Sequence, residues 1–203
     1  MNQIEALGRL KSLATPAFET RDAAALLQVT STNANKILRR LADEGLITHL
    51  SHGRWLSSSK ISRLALPELI SAPYPAYVSL QTALFQHGMI EQVPSLIYAV
   101  TLARPRQVMT PMGTVSFHRV PPALFTGFEL TQESDAKLAI PEKALFDTLY
   151  LAPNRSRLFA ALPELTIPRG FKWARLKELV DLVASASRKT FLEARIRQLR
   201  QAA

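Results

Sequence analysis

Thr30-Ser31-Thr32-Asn33-Ala34-Asn35-Lys36-Ile37-Leu38-Arg39-Arg40-Leu41-Ala42-Asp43-Glu44-Gly45 reads as one helix with two unlike faces. Ala34, Ile37, Leu38 and Leu41 recur at i, i+3, i+4 and i+7, the spacing that lines one side of a 3.6-residue period. Thr30 or Ser31 suits the cap, where a side-chain oxygen accepts from a first-turn backbone N–H. Gly45 suits the stop, because glycine enters the left-handed conformation without a Cβ clash. The remaining face carries Thr32, Asn33, Lys36, Arg39 and Arg40, with Asn35 at its margin.

Upstream, Ile4, Leu7 and Leu10 share one side of a first helix. A second helix is expected from a cap at Thr20, with Asp22 in its first turn and Ala23, Leu26 and Leu27 on one face. Downstream, Leu46–Leu50 and Arg54–Ser57 flank Ser51-His52-Gly53, two short strands joined by a glycine-bearing turn. Three helices followed by a hairpin is the order of a winged helix-turn-helix.

Such a domain sets the helix over 31–43 in the DNA major groove, its N-terminal residues toward the base edges. Asparagine pairs with the N6/N7 edge of adenine, lysine and arginine with guanine or phosphate, and hydroxyls with either. The candidate DNA contacts are therefore Ser31, Thr32, Asn33, Asn35, Lys36, Arg39 and Arg40, with His52 and Arg54 of the hairpin reaching a phosphate or the minor groove. Asn33 and Lys36 are expected to select sequence, and Arg39 and Arg40 to hold phosphate. Asp43 and Glu44 fall at the far end, away from the bases. The competing reading is a solvated helix face in a protein-binding winged helix.

Charge points the same way. The 203 residues hold 25 Lys+Arg against 16 Asp+Glu, a net charge of +9. Residues 1–70 carry +3, residues 71–150 carry −1 and residues 151–203 carry +7, so the excess lies at the two ends. Such a field attracts polyanions. At 47% hydrophobic the chain can bury a core, which excludes wholesale disorder. No apolar run approaches the roughly 20 residues of a membrane span. The N-terminus lacks the basic start and apolar stretch of a secretory signal, so a cytoplasmic location without membrane attachment is expected. The absence of cysteine rules out disulfides, thiolate metal sites and a cysteine nucleophile.

Pro67-Glu68-Leu69-Ile70-Ser71-Ala72-Pro73-Tyr74-Pro75 places three prolines in nine residues, where regular structure is expected to break. The expected division is a DNA-binding domain over 1–62, a linker over 63–76 and a mixed α/β domain over 77–203, an α+β chain as a whole. By this division residues 1–76 should fold alone. In the second domain Ser79 caps a helix stopped by Gly88, Ile97–Leu102 forms a strand, and Thr110-Pro111-Met112-Gly113 turns between two more. Pro141 opens a helix to about Leu151. The tail reads as two helices, one with Trp173, Leu176, Val180 and Val183 inward, the next with Leu192, Ile196 and Leu199. Arg188, Lys189, Arg195, Arg197 and Arg200, together with Arg169, Lys172 and Arg175, form a second candidate surface for phosphate or an acidic partner. Arg195 and Arg197 do not share one stripe, which argues against a single binding face.

Catalytic patterns are sparse. His49, His52, His87 and His118 lack metal-binding spacing, and seven scattered glycines make no phosphate loop. Ser79, His87 and Asp147 have no G-x-S-x-G elbow to support a triad. No enzyme, metal or cofactor is expected.

Pro141-Glu142-Lys143-Ala144-Leu145-Phe146-Asp147-Thr148-Leu149-Tyr150 resembles the P-E-K-A-L-x-D motif of AbiEi-type antitoxins from bacterial abortive-infection systems. Tyr77-Val78-Ser79-Leu80-Gln81-Thr82-Ala83-Leu84 is similar to the helix that precedes it in that family. So are Thr101-Leu102-Ala103-Arg104-Pro105-Arg106 and Phe125-Thr126-Gly127 to the strand and hairpin region between. The resemblance implies a two-domain repressor that binds inverted repeats in its own promoter, with a C-terminal domain that counters a nucleotidyltransferase-type toxin. Read from the residues alone, the motif is structural, with Ala144, Leu145 and Thr148 or Leu149 inward. Lys143 and Asp147 form an i, i+4 pair at the surface worth about 0.2–0.5 kcal/mol. The alternative is a winged-helix regulator whose second domain senses a small molecule.

Overall fold

Helix α1 (Gln3–Lys11) opens the fold, its Asn2 cap accepting from the Ile4 N–H and its Ala6 and Leu10 buried. The computed structural model describes residues 2–13, 15–57, 61–131, 136–152 and 164–202. After α1 come β1 (Ala17–Glu19), α2 (Thr20–Leu27), α3 (Ser31–Asp43), β2 (Thr48–Ser51) and β3 (Arg54–Leu56). Strand β3 pairs antiparallel with both β1 and β2, giving the order β1-β3-β2. Leu10, Phe18, Ala23, Leu38, Leu41, Ile47 and Trp55 close a core between the three helices and this sheet.

Local chemistry explains the helix ends. Thr30 caps α3 by accepting from the Asn33 N–H at 3.3 Å. At the other end Gly45 takes φ +71°, and the Gly45 and Leu46 N–H groups bond back to the Ala42 and Leu41 carbonyls, each at 2.9 Å. These are the paired bonds of a Schellman stop. Thr20 is not the cap of α2. Glu19 occupies that place, its N–H donating to Asp22 Oδ2 at 2.8 Å, and the Thr20 hydroxyl accepts from Trp55 Nε1 at 2.9 Å instead.

Regular structure also runs into the proline-rich stretch where a break was expected. Residues Arg63–Ala65 form a 3₁₀ turn, and α4 (Leu66–Ser71) follows directly. Pro67 sits in the first turn of α4, where its missing N–H would have had no helical partner. Leu66 and Ile70 are buried.

The second sheet is mixed. Its strands are β4 (Ala76–Val78), β5 (Ile97–Thr101), β6 (Arg106–Thr110), β7 (Gly113–Arg119), β8 (Phe128–Leu130) and β9 (Lys137–Ala139), in the order β6-β7-β5-β4-β9-β8. Pairs β4–β9 and β5–β7 are parallel and the others antiparallel. Side chains alternate along a strand, so β4 and β5 serve two cores at once. Tyr77, Tyr98 and Val100 face α5 (Leu80–Gln86), α6 (Pro141–Leu151) and α7 (Trp173–Asp181), with α8 (Ala186–Ala202) packed outside them through Leu192. Ala76, Val78, Ile97 and Ala99 face the other way, onto α4 and onto Leu50 and Leu56 of the β2–β3 hairpin.

That second core has no seam between the first 62 residues and the rest. Arg54 adds polar ties across the same junction, with Nη1 donating to the Leu69 carbonyl at 3.0 Å and Nη2 to Glu19 at 2.9 Å and to the Ala72 carbonyl. A Glu68–Lys137 ion pair joins α4 to β9. No helix among the described residues is long and apolar enough to cross a membrane.

Candidate nucleic-acid interface

Helix α3 buries Ala34, Leu38 and Leu41 and half-buries Ile37, so its opposite face is turned outward by packing rather than by chance. Ser31, Thr32, Asn33, Lys36, Arg39 and Arg40 are exposed and Asn35 is half-buried. The hairpin stands beside this face and encloses a cleft of about 650 Å³. Ser31, Thr32, Asn35, Arg39 and Asp43 line it from α3, Thr20 from α2, and His49, His52, Gly53 and Trp55 from the hairpin. The structure thus brings five of the candidate contacts, Ser31, Thr32, Asn35, Arg39 and His52, around one opening. Asn33, Lys36 and Arg40 lie outside the cleft lining.

The hairpin wall is braced from behind. Trp55, 2% exposed, donates its indole N–H to Thr20 and carries the His49 ring at 4.5 Å between centroids. Thr20 in turn donates from its backbone N–H to the Gly53 carbonyl at 2.9 Å, tying the hairpin turn to the start of α2. The lining also includes His49, Thr20 and Asp43, which the sequence does not mark as contacts. His49 lies on a strand whose alternation is broken by a register shift between His49 and Ser51. That shift is invisible in a four-residue run.

Arg54 departs from its expected role. With its guanidinium on two carbonyls and the Glu19 carboxylate, and its side chain 17% exposed, it fastens the hairpin to α4 and β1. A group already desolvated among three acceptors gives up fold contacts to reach a phosphate, and Arg54 is absent from the cleft lining.

The basic tail is dispersed, as its spacing suggests. Arg188 lies over the Tyr150 ring at 4.4 Å and Arg200 over Trp173 at 6.0 Å, while Lys189 is 4.0 Å from Asp181 and Arg195 donates to Gln198 at 3.3 Å. Arg197 and Arg200 are exposed, and Arg188, Lys189 and Arg195 are half-buried. Elsewhere, Thr126, Phe128, Arg175, Glu178, Leu179 and Leu182 border a groove of about 370 Å³ between β8 and α7.

The Pro141–Tyr150 motif is enclosed on every side. Residues 142–151 of α6 are all buried. Lys143 and Asp147 are not a surface pair: both side chains are 0% exposed and 2.7 Å apart. Lys143 Nζ also donates to the Leu124 carbonyl at 2.7 Å and lies over the Phe146 ring at 4.7 Å. The other oxygen of Asp147 accepts from Ser79 Oγ at 2.7 Å and Tyr77 Oη at 3.0 Å. Ser79 spends its hydroxyl there instead of capping α5. Gly127, at φ +77°, presses on the stem of Lys143 so closely that a Cβ would lie 3.2 Å from it. Burial lifts the Asp147 carboxyl above its ordinary value, against the opposing Lys143 charge and three hydrogen bonds. Burial first, then the Asp147 charge, lifts the Tyr77 phenol. Glu142 accepts from the Lys172 N–H at 2.6 Å and so holds the start of α7. Of Ser79, His87 and Asp147, the serine and aspartate do meet, but His87 Nε2 contacts the Ala139 carbonyl at 2.7 Å. The cluster satisfies its own charges, and among the described residues no buried side-chain polar atom lacks a hydrogen-bond partner.

No protein-family model matches the chain, and no curated protein matches it.

Proposed function

We propose that the chain is a DNA-binding transcriptional repressor, with α2 and α3 as a helix-turn-helix, α3 as the recognition helix and the β2–β3 hairpin as its wing. The observation that carries this reading is the cleft. A helix with a fully used apolar face turns hydroxyls, an amide and a guanidinium toward one opening, and a braced hairpin flanks it. Those are the groups that read base edges and phosphates together. The net charge of +9 supports a steep salt dependence of binding.

The proposed partner is double-stranded DNA at inverted repeats upstream of the chain's own gene. Footprinting on that DNA tests it: two protected half-sites are expected, with affinity that falls as salt rises. Absence of protection at low salt overturns the reading.

The antitoxin role rests on the resemblance of residues 141–150 to the AbiEi-type motif. It predicts relief of growth arrest by a nucleotidyltransferase-type toxin encoded beside the gene. Reversing charge at both Arg188 and Lys189, with a carboxylate at each, tests whether the tail meets the toxin or its RNA substrate. Rescue is expected to fail, and because the exchange also removes the Arg188–Tyr150 and Lys189–Asp181 contacts, circular dichroism must show the variant folded at the assay temperature. Full rescue by the folded variant removes those two positions. Failure of the unaltered protein to rescue at all shifts the reading to a small-molecule-sensing regulator, for which the β8–α7 groove is the place to search.

A further inference from the structure

Asp43 is the one acidic side chain in the lining of the α3–hairpin cleft, one helical turn beyond Arg39. The fold gives it no employment. It is the last residue of α3, where the exposed carbonyl ends of the helix disfavour a negative charge. Its neighbour Glu44 accepts from Gln3 Nε2 at 2.9 Å and so links α3 to α1. Among the described residues, no hydrogen bond or ion pair engages the Asp43 carboxylate, and none joins it to Arg39. An exposed carboxylate that opposes its own helix, and faces a cleft whose other lining side chains are apolar, neutral polar, imidazole or the Arg39 guanidinium, acts on whatever enters that cleft.

We propose that Asp43 is a specificity-determining residue that works by repulsion. The proposal rests on the cleft being the DNA interface. A phosphate that drifts toward the C-terminal end of α3 meets the carboxylate, so backbone-only docking in shifted registers is penalised. The operator register keeps phosphates away from that end and bases at Ser31, Thr32 and Asn35. Arg39 then adds attraction only when the helix is seated correctly. Discrimination between partners by an unfavourable contact in the wrong complex is a general device of specific interfaces.

The test compares full-length wild type, Asp43→Asn, Glu44→Gln and Arg39→Ala on two duplexes of equal length, the footprinted one and one of mixed sequence. Asp43→Asn is expected to tighten binding to mixed sequence about three-fold, the effect of one removed charge a few ångströms from a phosphate in water. It should leave the footprinted duplex nearly unchanged, so the specificity ratio falls by the same factor. Glu44→Gln changes net charge equally but lies outside the cleft lining, and is expected to alter the ratio little. Its melting temperature, and that of Asp43→Asn, should not drop.

Equal tightening on both duplexes, or the same shift from Glu44→Gln, overturns the proposal in favour of bulk charge. Loss of affinity for the footprinted duplex alone overturns it in favour of a base-accepting carboxylate. The parent reading fails separately: if wild type binds neither duplex in a salt-dependent way, the cleft is no DNA interface. If Arg39→Ala weakens binding while Asp43→Asn changes nothing, only the role of Asp43 falls.

Discussion

Among the described residues, Lys143 and Asp147 form the one ion pair whose two side chains are both fully buried. An exposed i, i+4 pair is worth a few tenths of a kcal/mol, but both of these side chains are fully buried. Removing one partner of a buried pair strands the other charge, at a cost of about 3–5 kcal/mol. Lys143→Met should therefore lose about that much in chemical denaturation, whereas adding Asp147→Asn should recover part of it. The amide removes the stranded charge and keeps an acceptor for Ser79 and Tyr77. Acid should narrow the deficit of Lys143→Met. A carboxyl lifted by burial favours the folded state when protonated, and that contribution is lost as pH rises through its folded pKa. His118 works in the opposite sense. Burial lowers its pKa, so its contribution is present above its ordinary value of about 6.5 and lost as pH falls through the folded value. Replacing His118 with Asn should flatten the fall in melting temperature between about pH 7 and about pH 5.

Helix α3 was the most legible element, because cap, apolar stripe and glycine stop all fall within sixteen residues and agree. The strands β1, β4, β8 and β9 were not legible. At three residues each they are too short to display alternation, and they exist only because partner strands pair with them. Helix α6 was found with both ends correct, but its enclosure was not. A local stripe predicts one inward face, whereas α5, α7, α8 and the sheet surround this helix together. The candidate contacts divide for a similar reason: their outward direction is readable, but the position of the hairpin, which puts Asn35 and Arg39 in the cleft lining and leaves Asn33 and Lys36 outside it, is not. Asn35→Ala should accordingly cost about 1–3 kcal/mol on the footprinted duplex and much less on mixed sequence, while Arg40→Ala weakens both alike. Equal losses from Asn35→Ala on both duplexes count against the assignment. Arg54→Ala should lower the melting temperature yet leave the salt slope of binding unchanged, since its guanidinium serves the hairpin, α4 and β1.

At the scale of the whole molecule, Leu50, Leu56, Leu66, Ile70, Val115 and Phe117 share one core, so the hairpin and the second sheet are expected to unfold together. Burying a leucine contributes about 1.5–3 kcal/mol, so Leu50 and Leu56 alone couple the hairpin strongly to the second sheet. Calorimetry should find one transition whose calorimetric and van't Hoff enthalpies agree. A fragment ending at residue 76 exposes these side chains, and circular dichroism should find it unfolded or melting far below the full chain. Two resolved transitions would contradict the coupling. The same packing constrains inheritance. A recombination event at residue 62 would transplant a hairpin whose leucines must fit a foreign sheet, and few such grafts would survive. On the proposed function, new specificity is reached by point changes along the outer face of α3, where nothing behind the helix has to be rebuilt.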